Sequence, residues 1–246
     1  MHVLILSLDT SSPAGSVAIL RDELTLGVVS TRAEENYSSR IFRHLEFLLS
    51  DLTMKLEQFD LFAVSAGPGS FTGLRVGLTA AKGWAEVYRK PVVGVSALEA
   101  VASQACAGRA VLVPALDARR GQIYFGVYRA AAAGLALDGE EFVVTPEEFT
   151  EKLGTLAYGG DGNVGGNGGA GFAIVTPDAP VVTAASRLIS EFPSGVAGLE
   201  IVSSVLAPSI GRIAYARALR GDVSDALTLD ANYVRRTDAE MRWKDG

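Results

Sequence analysis

The stretch AVSAGPGSFTGLRVGL, Ala63 to Leu78, decides how the rest of the chain is read. An apolar run ends in Gly67-Pro68-Gly69, and a polar step then leads into a helical pattern, which predicts a strand, a tight turn and a helix. Pro68 fixes φ, Gly67 and Gly69 permit backbone angles or close approaches that a Cβ would block, and Ser70 or Thr72 can cap the helix. Unbonded N–H groups at such a helix start favour an anion or a phosphate. A sharp turn that binds nothing uses the same residues, so local chemistry leaves both readings open. Two other glycine loops are excluded. Leu74-Arg75 follows Gly73 where a Walker loop needs Lys-Ser or Lys-Thr. The spacing G-x-G-x-x-x-G, with no acid closing the strand Val92 to Val95, is not a dinucleotide fingerprint.

Composition narrows the classes. The chain has 246 residues, 48% of them hydrophobic and 20% charged, enough for one large domain or two small ones. A net charge of -6 argues against broad, non-specific contact with nucleic-acid backbone. A lone cysteine, Cys106, and two histidines, His2 and His44, leave no disulfide and no His/Cys metal cluster. The start MHVLILSLDTSS lacks a basic region before its short apolar run, and nothing approaches the ~18 apolar residues of a membrane span. A cytoplasmic protein without membrane attachment is the expectation.

In chain order, Val3 to Leu8, Gly15 to Leu20 and Thr25 to Thr31 predict a β-meander whose first corner is Asp9-Thr10-Ser11-Ser12-Pro13. Asp9 there can hold a metal-bound water or bond its own turn. From Ser38, apolar residues recur at Ile41, Leu45, Leu48, Leu49 and Leu52, the spacing of an amphipathic helix. Phe42 and Phe47 widen its apolar arc, so either a second surface covers this helix or both sides pack within the chain. The helix Thr72 to Val87 carries Gly73, Gly77, Ala80, Ala81 and Gly83. So many small residues suit close approach of another helix, in this chain or in a partner. Val92 to Val95 and a helix through Ala102 complete a crossover that demands parallel pairing in a mixed sheet.

The second half repeats the opening: strand Ala110 to Leu116, acidic turn Asp117-Ala118-Arg119-Arg120-Gly121, strand Ile123 to Arg129. Short helices are expected at Pro146 to Lys152, Ala184 to Phe192 and Ser209 to Leu219, and short strands at Phe172 to Val175 and Val181-Val182. Nine of the 27 glycines crowd between Gly154 and Gly171, the mark of a loop that cannot fill a core. Arg235 and Arg236 lie in a tail expected on the surface.

Together LSLDTSSPAGSVAIL (6–20), SAGPGSFTGLRVGLTAAKG (65–83), GVSALEAVA (94–102), ALDARRGQIYFGVY (115–128) and YVRRTDAE (233–240) resemble the bacterial TsaB (YeaZ) family. The resemblance implies an α/β fold of the actin-like ATPase (ASKHA) type, two ribonuclease-H-like lobes with mixed β-sheets flanked by helices. Residues 1–103 would form the first lobe and 104–246 a second, smaller, degenerate lobe, with a helix near 209–220 able to pack back on the first. Family members act with a paralogue, TsaD, and the ATPase TsaE to transfer a threonylcarbamoyl group to N6 of adenosine 37 in tRNAs reading codons that start with A. TsaD is the catalytic subunit, and its metal is held by an H-x-x-x-H pair on the helix equivalent to Ser38 to Leu52. Here that helix has His44 alone, so the chain is expected to be a non-catalytic scaffold or activator with no catalytic residue and no metal.

The expected partner interface, for TsaD or for a homodimer in isolation, is Ile41, Leu45, Leu48, Leu49, Leu52, Gly73, Leu74, Gly77, Ala80 and Ala81. On that view Gly77→Leu should block pairing by steric clash. A vestigial nucleotide site would comprise Asp9, Thr10, Ser11, Gly67, Gly69, Ser70 and Asp117, with no cofactor or only weak ATP or ADP binding. Contact with tRNA is expected only through the complex. The alternative is an independent actin-like ATPase or small-molecule kinase.

Overall fold

The computed structural model describes residues 2–32, 37–106, 110–132, 134–158, 171–190 and 196–234. The first elements are β1 (Leu4–Asp9), β2 (Ser16–Arg21), β3 (Leu24–Ser30), α1 (Tyr37–Asp51), β4 (Leu61–Gly67), α2 (Phe71–Tyr88), β5 (Val92–Ser96) and α3 (Ala97–Ala102). Then come β6 (Val111–Arg119), β7 (Gln122–Phe125), β8 (Tyr128–Ala131), β9 (Gly134–Leu137), β10 (Phe142–Val144) and α4 (Pro146–Tyr158). The last are β11 (Phe172–Thr176), α5 (Ala179–Ile189), β12 (Ala197–Ile201) and α6 (Ala207–Ala218). These elements form two compact units, Met1–Ala100 with Val205–Tyr233, and Val101–Ser204 with Val234–Gly246.

In the first unit the sheet runs β3-β2-β1-β4-β5, antiparallel across the opening meander and parallel from β1 through β4 to β5. β4 is buried at every position, as a central strand covered on both faces must be. Period-two alternation sends Leu6, Leu8, Val17, Ile19, Phe62 and Val64 into one core with α1 and α2. The opposite face of the sheet receives α6, where Ser7 Oγ donates to the Ala207 carbonyl at 2.7 Å and Ala207 N–H donates to Ser16 Oγ at 3.1 Å. Gly211 lets α6 sit directly on Leu20. Arg217, further along α6, donates to the Gly94 carbonyl at 2.9 Å and to Glu99 at 2.5 Å, tying the helix to the sheet edge. The chain then forms a strap: Ser224 bridges Val92, Leu229 is buried against Gly94, and Asn232 N–H donates to the Ala66 carbonyl at 2.7 Å.

The second unit has sheet order β10-β7-β6-β11-β12, with β8 on β6 and β9 on β8. β6 pairs antiparallel with β7 and parallel with β11, as β1 pairs with β2 and β4. Its core gathers Val113, Ile123, Phe125, Phe149, Leu153, Ile174, Ala185 and Leu188.

Four expectations change. The helix near 209–220 packs back on the first unit, as the resemblance allowed; what changes is that the whole of Val205–Tyr233 goes with it, dividing the segment assigned to a lobe of 104–246, because α6 and the strap cover an apolar sheet face and edge. Val181-Val182 are helical: Pro180 stands in the first turn of α5, and Val181, Ala185 and Leu188 repeat at helical spacing on its buried side. α4 runs to Tyr158, beyond Lys152. The strand expected over Ile123 to Arg129 divides at Gly126-Val127 into β7 and β8, and the structure adds β9, β10 and β12, three to five residues long with little alternation, for which the sequence reading had no counterpart. Most of the glycine-rich loop, 159–170, and the tail with Arg235 and Arg236 lie outside the described residues.

Candidate functional site

The β4–α2 turn is built for close approach of the chain's own backbone. Gly67 has φ of +112° and lies 2.6 Å, measured from where its Cβ would stand, from the Asn232 carbonyl oxygen. Ser70 caps α2, its Oγ accepting the Gly73 N–H at 3.3 Å, while its own N–H donates to the Ser11 carbonyl at 2.7 Å. Gly69, Gly73 and Gly77 recur every four residues along one side of that turn and helix. A Cβ at each would overlap, in order, the Ser11 carbonyl, the Thr10 carbonyl and Thr10 Oγ1. The small-residue stripe expected to admit a partner therefore admits the β1–β2 corner of the same unit.

Asp9, Thr10, Ser11, Gly67, Gly69 and Ser70 thus come together as the nucleotide reading required, but their packing does not fit a phosphate. The space over the helix start is filled by the Thr10 and Ser11 carbonyls, and oxygen faces oxygen poorly. Asp9 is fully buried, with Oδ1 accepting from Ser11 N–H at 2.9 Å and from Ser11 Oγ at 2.6 Å. Among the described residues its Oδ2 and Thr10 Oγ1 have no hydrogen-bond partner, and burial pushes the carboxyl up to about 6. A cavity of about 10 Å³ touches Asp9, Thr10, Ser16, Arg40 and His44, room for about one water sphere. Asp117 belongs to the second unit, where its N–H donates to Asp178 at 2.8 Å and its Oδ1 accepts the Arg119 N–H at 2.7 Å. Among the described residues no group of three His, Cys, Asp or Glu could hold a metal ion. His44 shares a 3.1 Å hydrogen bond with Thr31, and burial and the nearby Arg40 and Arg43 hold its pKa below the usual imidazole value.

Most of the expected interface residues face inward. Ile41, Leu45, Leu48, Leu74 and Ala81 are buried in the first unit's core, as are Gly73 and Gly77, while Leu49, Leu52 and Ala80 are half-buried against it. The apolar arc of α1 is wide because it meets both the sheet and α2. What remains outside is the other side of the two helices. Phe42, Phe71, Thr72, Arg75, Val76, Thr79 and Ala80 line an open groove of about 470 Å³. Phe42 is 50% exposed and Phe47 59%. The Arg75 guanidinium lies 3.8 Å from the Phe71 ring centroid, Tyr233 packs on the same ring at 5.2 Å, and Phe42 meets Trp84 edge-on at 6.3 Å. For Phe42 and Phe47 the sequence had left an outer apolar surface open as one of two readings. Phe71, Arg75, Val76 and Thr79 carried no such signal, because their role depends on which way α2 is turned.

Two units of like topology, each a hairpin extended by parallel strands and flanked by helices, define a fold of the actin-like ATPase type. Within it, a family model described as TsaD, tRNA N6-adenosine threonylcarbamoyltransferase, matches residues 18–156. The chain is 36% identical over 125 residues to the tRNA threonylcarbamoyladenosine biosynthesis protein TsaB of Bacillus subtilis, covering 51% of this chain and 55% of the relative. It is 33% identical over 159 residues to TsaB of Escherichia coli, covering 62% and 67%. YeaZ from Pseudomonas aeruginosa superposes with a TM-score of 0.71 at 25% identity, covering 94% of this chain and 99% of that one. The chain belongs to the TsaB (YeaZ) family. Its alignment spans little more than half the length of the Bacillus relative. No described helix is long and apolar enough to cross a membrane.

Proposed function

We propose that this chain is the non-catalytic subunit that pairs with a TsaD paralogue, and works with the ATPase TsaE, in threonylcarbamoyl transfer to N6 of adenosine 37 of tRNAs reading codons that start with A. The names of its relatives support the pathway. One observation carries the scaffold role: the outer side of α1 and α2 is an exposed aromatic and aliphatic groove, while the helix start that could serve a phosphate is filled by Thr10 and Ser11. An apolar groove of this kind is what a partner helix pair covers. On this reading the chain needs no nucleotide of its own at the β4–α2 turn, forms a homodimer when the paralogue is absent, and meets tRNA only through the complex.

The experiment is co-expression with the paralogue and TsaE, followed by size measurement and a tRNA modification assay, with wild-type chain and with Phe42→Asp. The variant should fold, fail to bind the paralogue and fail to support modification. Modification by this chain alone, or turnover of ATP by it alone, would favour an independent enzyme.

A further inference from the structure

The corner after β6 is strained and uncovered where the corner after β1 is packed. In the first unit Thr10 and Ser11 are buried against the start of α2. At the matching place in the second unit Arg119, Arg120 and Gly121 are all exposed, and all three adopt left-handed backbone angles, with φ of +61°, +53° and +70°. The register pairs Arg119 with Gln122, so Arg120-Gly121 is a two-residue hairpin turn with both angles positive, for which Asn-Gly is the favoured pair. Asparagine tolerates such angles better than most residues, while an arginine pays the steric cost of its Cβ with no local hydrogen bond in return. Two successive arginines held this way at an exposed tip point to a use for their side chains.

Carboxylates brace the backbone of this corner. Asp178 Oδ2 accepts the Asp117 N–H at 2.8 Å, and Asp117 Oδ1 accepts the Arg119 N–H at 2.7 Å. These bonds hold the tip in place and occupy two N–H groups that a small, enclosed anion would need. What the tip offers outward is a pair of long guanidinium side chains, and that of Arg119 makes no ion pair with a described residue. Resting on the reading of the chain as a subunit of the tRNA-modifying complex, we infer that Arg119 and Arg120 grip phosphates of the tRNA backbone, a direct contact made by this chain within the complex. The planar guanidinium fork matches phosphate oxygens, and an exposed polyanion can be reached by side chains where a buried ion cannot. A net charge of -6 rules against a broad basic face and leaves room for a contact confined to one hairpin tip. Phosphate contacts carry no base information, so the hairpin positions the tRNA and does not select the adenosine.

The test is fluorescence anisotropy of a labelled tRNA that reads codons starting with A, titrated with the complex of paralogue, TsaE and this chain across 50 to 200 mM salt. The chain is used as wild type, as Arg119→Asn with Arg120→Asn, as Arg119→Lys with Arg120→Lys, and as Arg21→Gln with Arg187→Gln, which removes the same charge from exposed positions elsewhere. The asparagine pair relieves the turn, so it should melt as high as wild type or higher, yet bind tRNA about tenfold more weakly with a salt slope smaller by about one to two. The lysine pair should bind within about threefold of wild type, and the control pair within about twofold. Equal binding and equal salt slope in the asparagine pair, or an equal loss in the control pair, would overturn the inference. An asparagine pair that no longer assembles with the paralogue would make the tip a protein contact and overturn it too, as would discrimination between variants by ATP or inorganic phosphate but not by tRNA. A wild-type chain that forms no complex would sink the proposed function; the isolated chain titrated at low salt then decides this contact, the asparagine pair having to bind tRNA more weakly than wild type.

Discussion

The Ser11 carbonyl oxygen accepts the backbone N–H of Ser70 at 2.7 Å, so the corner after the first strand lies directly on the amino end of α2. Thr10 and Ser11 of that corner account for the glycines at 69, 73 and 77 and turn a turn that could cradle an anion into a packed joint.

Gly73→Ala should therefore damage the fold. The obstructing atom is the Thr10 backbone carbonyl, which cannot swing aside as a flexible side-chain end could. A loss of about 2–3 kcal/mol is expected from urea unfolding. Gly77→Leu should lose at least as much, because its side chain would run into the buried Thr10 and Val64 side chains, a lesion inside the first unit and not at a partner contact. Gly83→Ala, facing open space, should gain about 0.5–1 kcal/mol at protein concentrations too low for association.

Asp9 sets a pH dependence. Its carboxyl is raised from 3.8 to about 6 by burial, so the folded state holds the proton where the unfolded chain has lost it. Below pH 3.8 both states are protonated and no penalty applies; stability then falls as pH rises through about 6 and levels off above it. The shift corresponds to about 3 kcal/mol. Asp9→Asn keeps an oxygen for Ser11 and removes the charge, so it should be more stable than wild type at pH 8 and nearly equal at pH 4. Urea midpoints of both proteins across this range test the sign.

Arg217 and Glu99 are 25% and 11% exposed, and their ion pair fastens α6 to the sheet edge. Arg217→Met should cost about 3 kcal/mol by leaving a largely buried carboxylate without this cation. Adding Glu99→Gln should recover part of the loss, a coupling that chemical denaturation of the four proteins would measure.

Leu229→Ala should loosen the strap. The side chain is 5% exposed and fills the space beside Gly94. A loss of about 2–4 kcal/mol is expected, together with faster protease cleavage between Asp222 and Tyr233.

Much of the fold was legible in residue order. The apolar run Leu61 to Val64, the Gly67-Pro68-Gly69 turn and the Ser70 cap announce β4 and α2, and the parallel pairing with β5 follows from the crossover. The site was legible only in part. Glycines at four-residue spacing announce that something comes close, yet nothing in the residues says that it is Thr10 and Ser11, about 60 positions earlier in the chain. The Val181-Val182 pair, read as a strand, shows the same weakness for short apolar runs, which fit either a strand or the buried side of a helix.

By itself the sequence determined the order of strands and helices from β1 to α3, the duplicated hairpin and the lack of a histidine pair on α1, because these depend on local periodicity, turn chemistry and residue inventory. Only the tertiary structure decided that Ile41, Leu45 and Leu48 look inward, that Phe42, Arg75 and Thr79 look outward, and that the segment 205–233 comes home to the first unit. Periodicity reveals that a helix has an apolar side; which surface covers that side is settled by contacts between residues far apart in the chain.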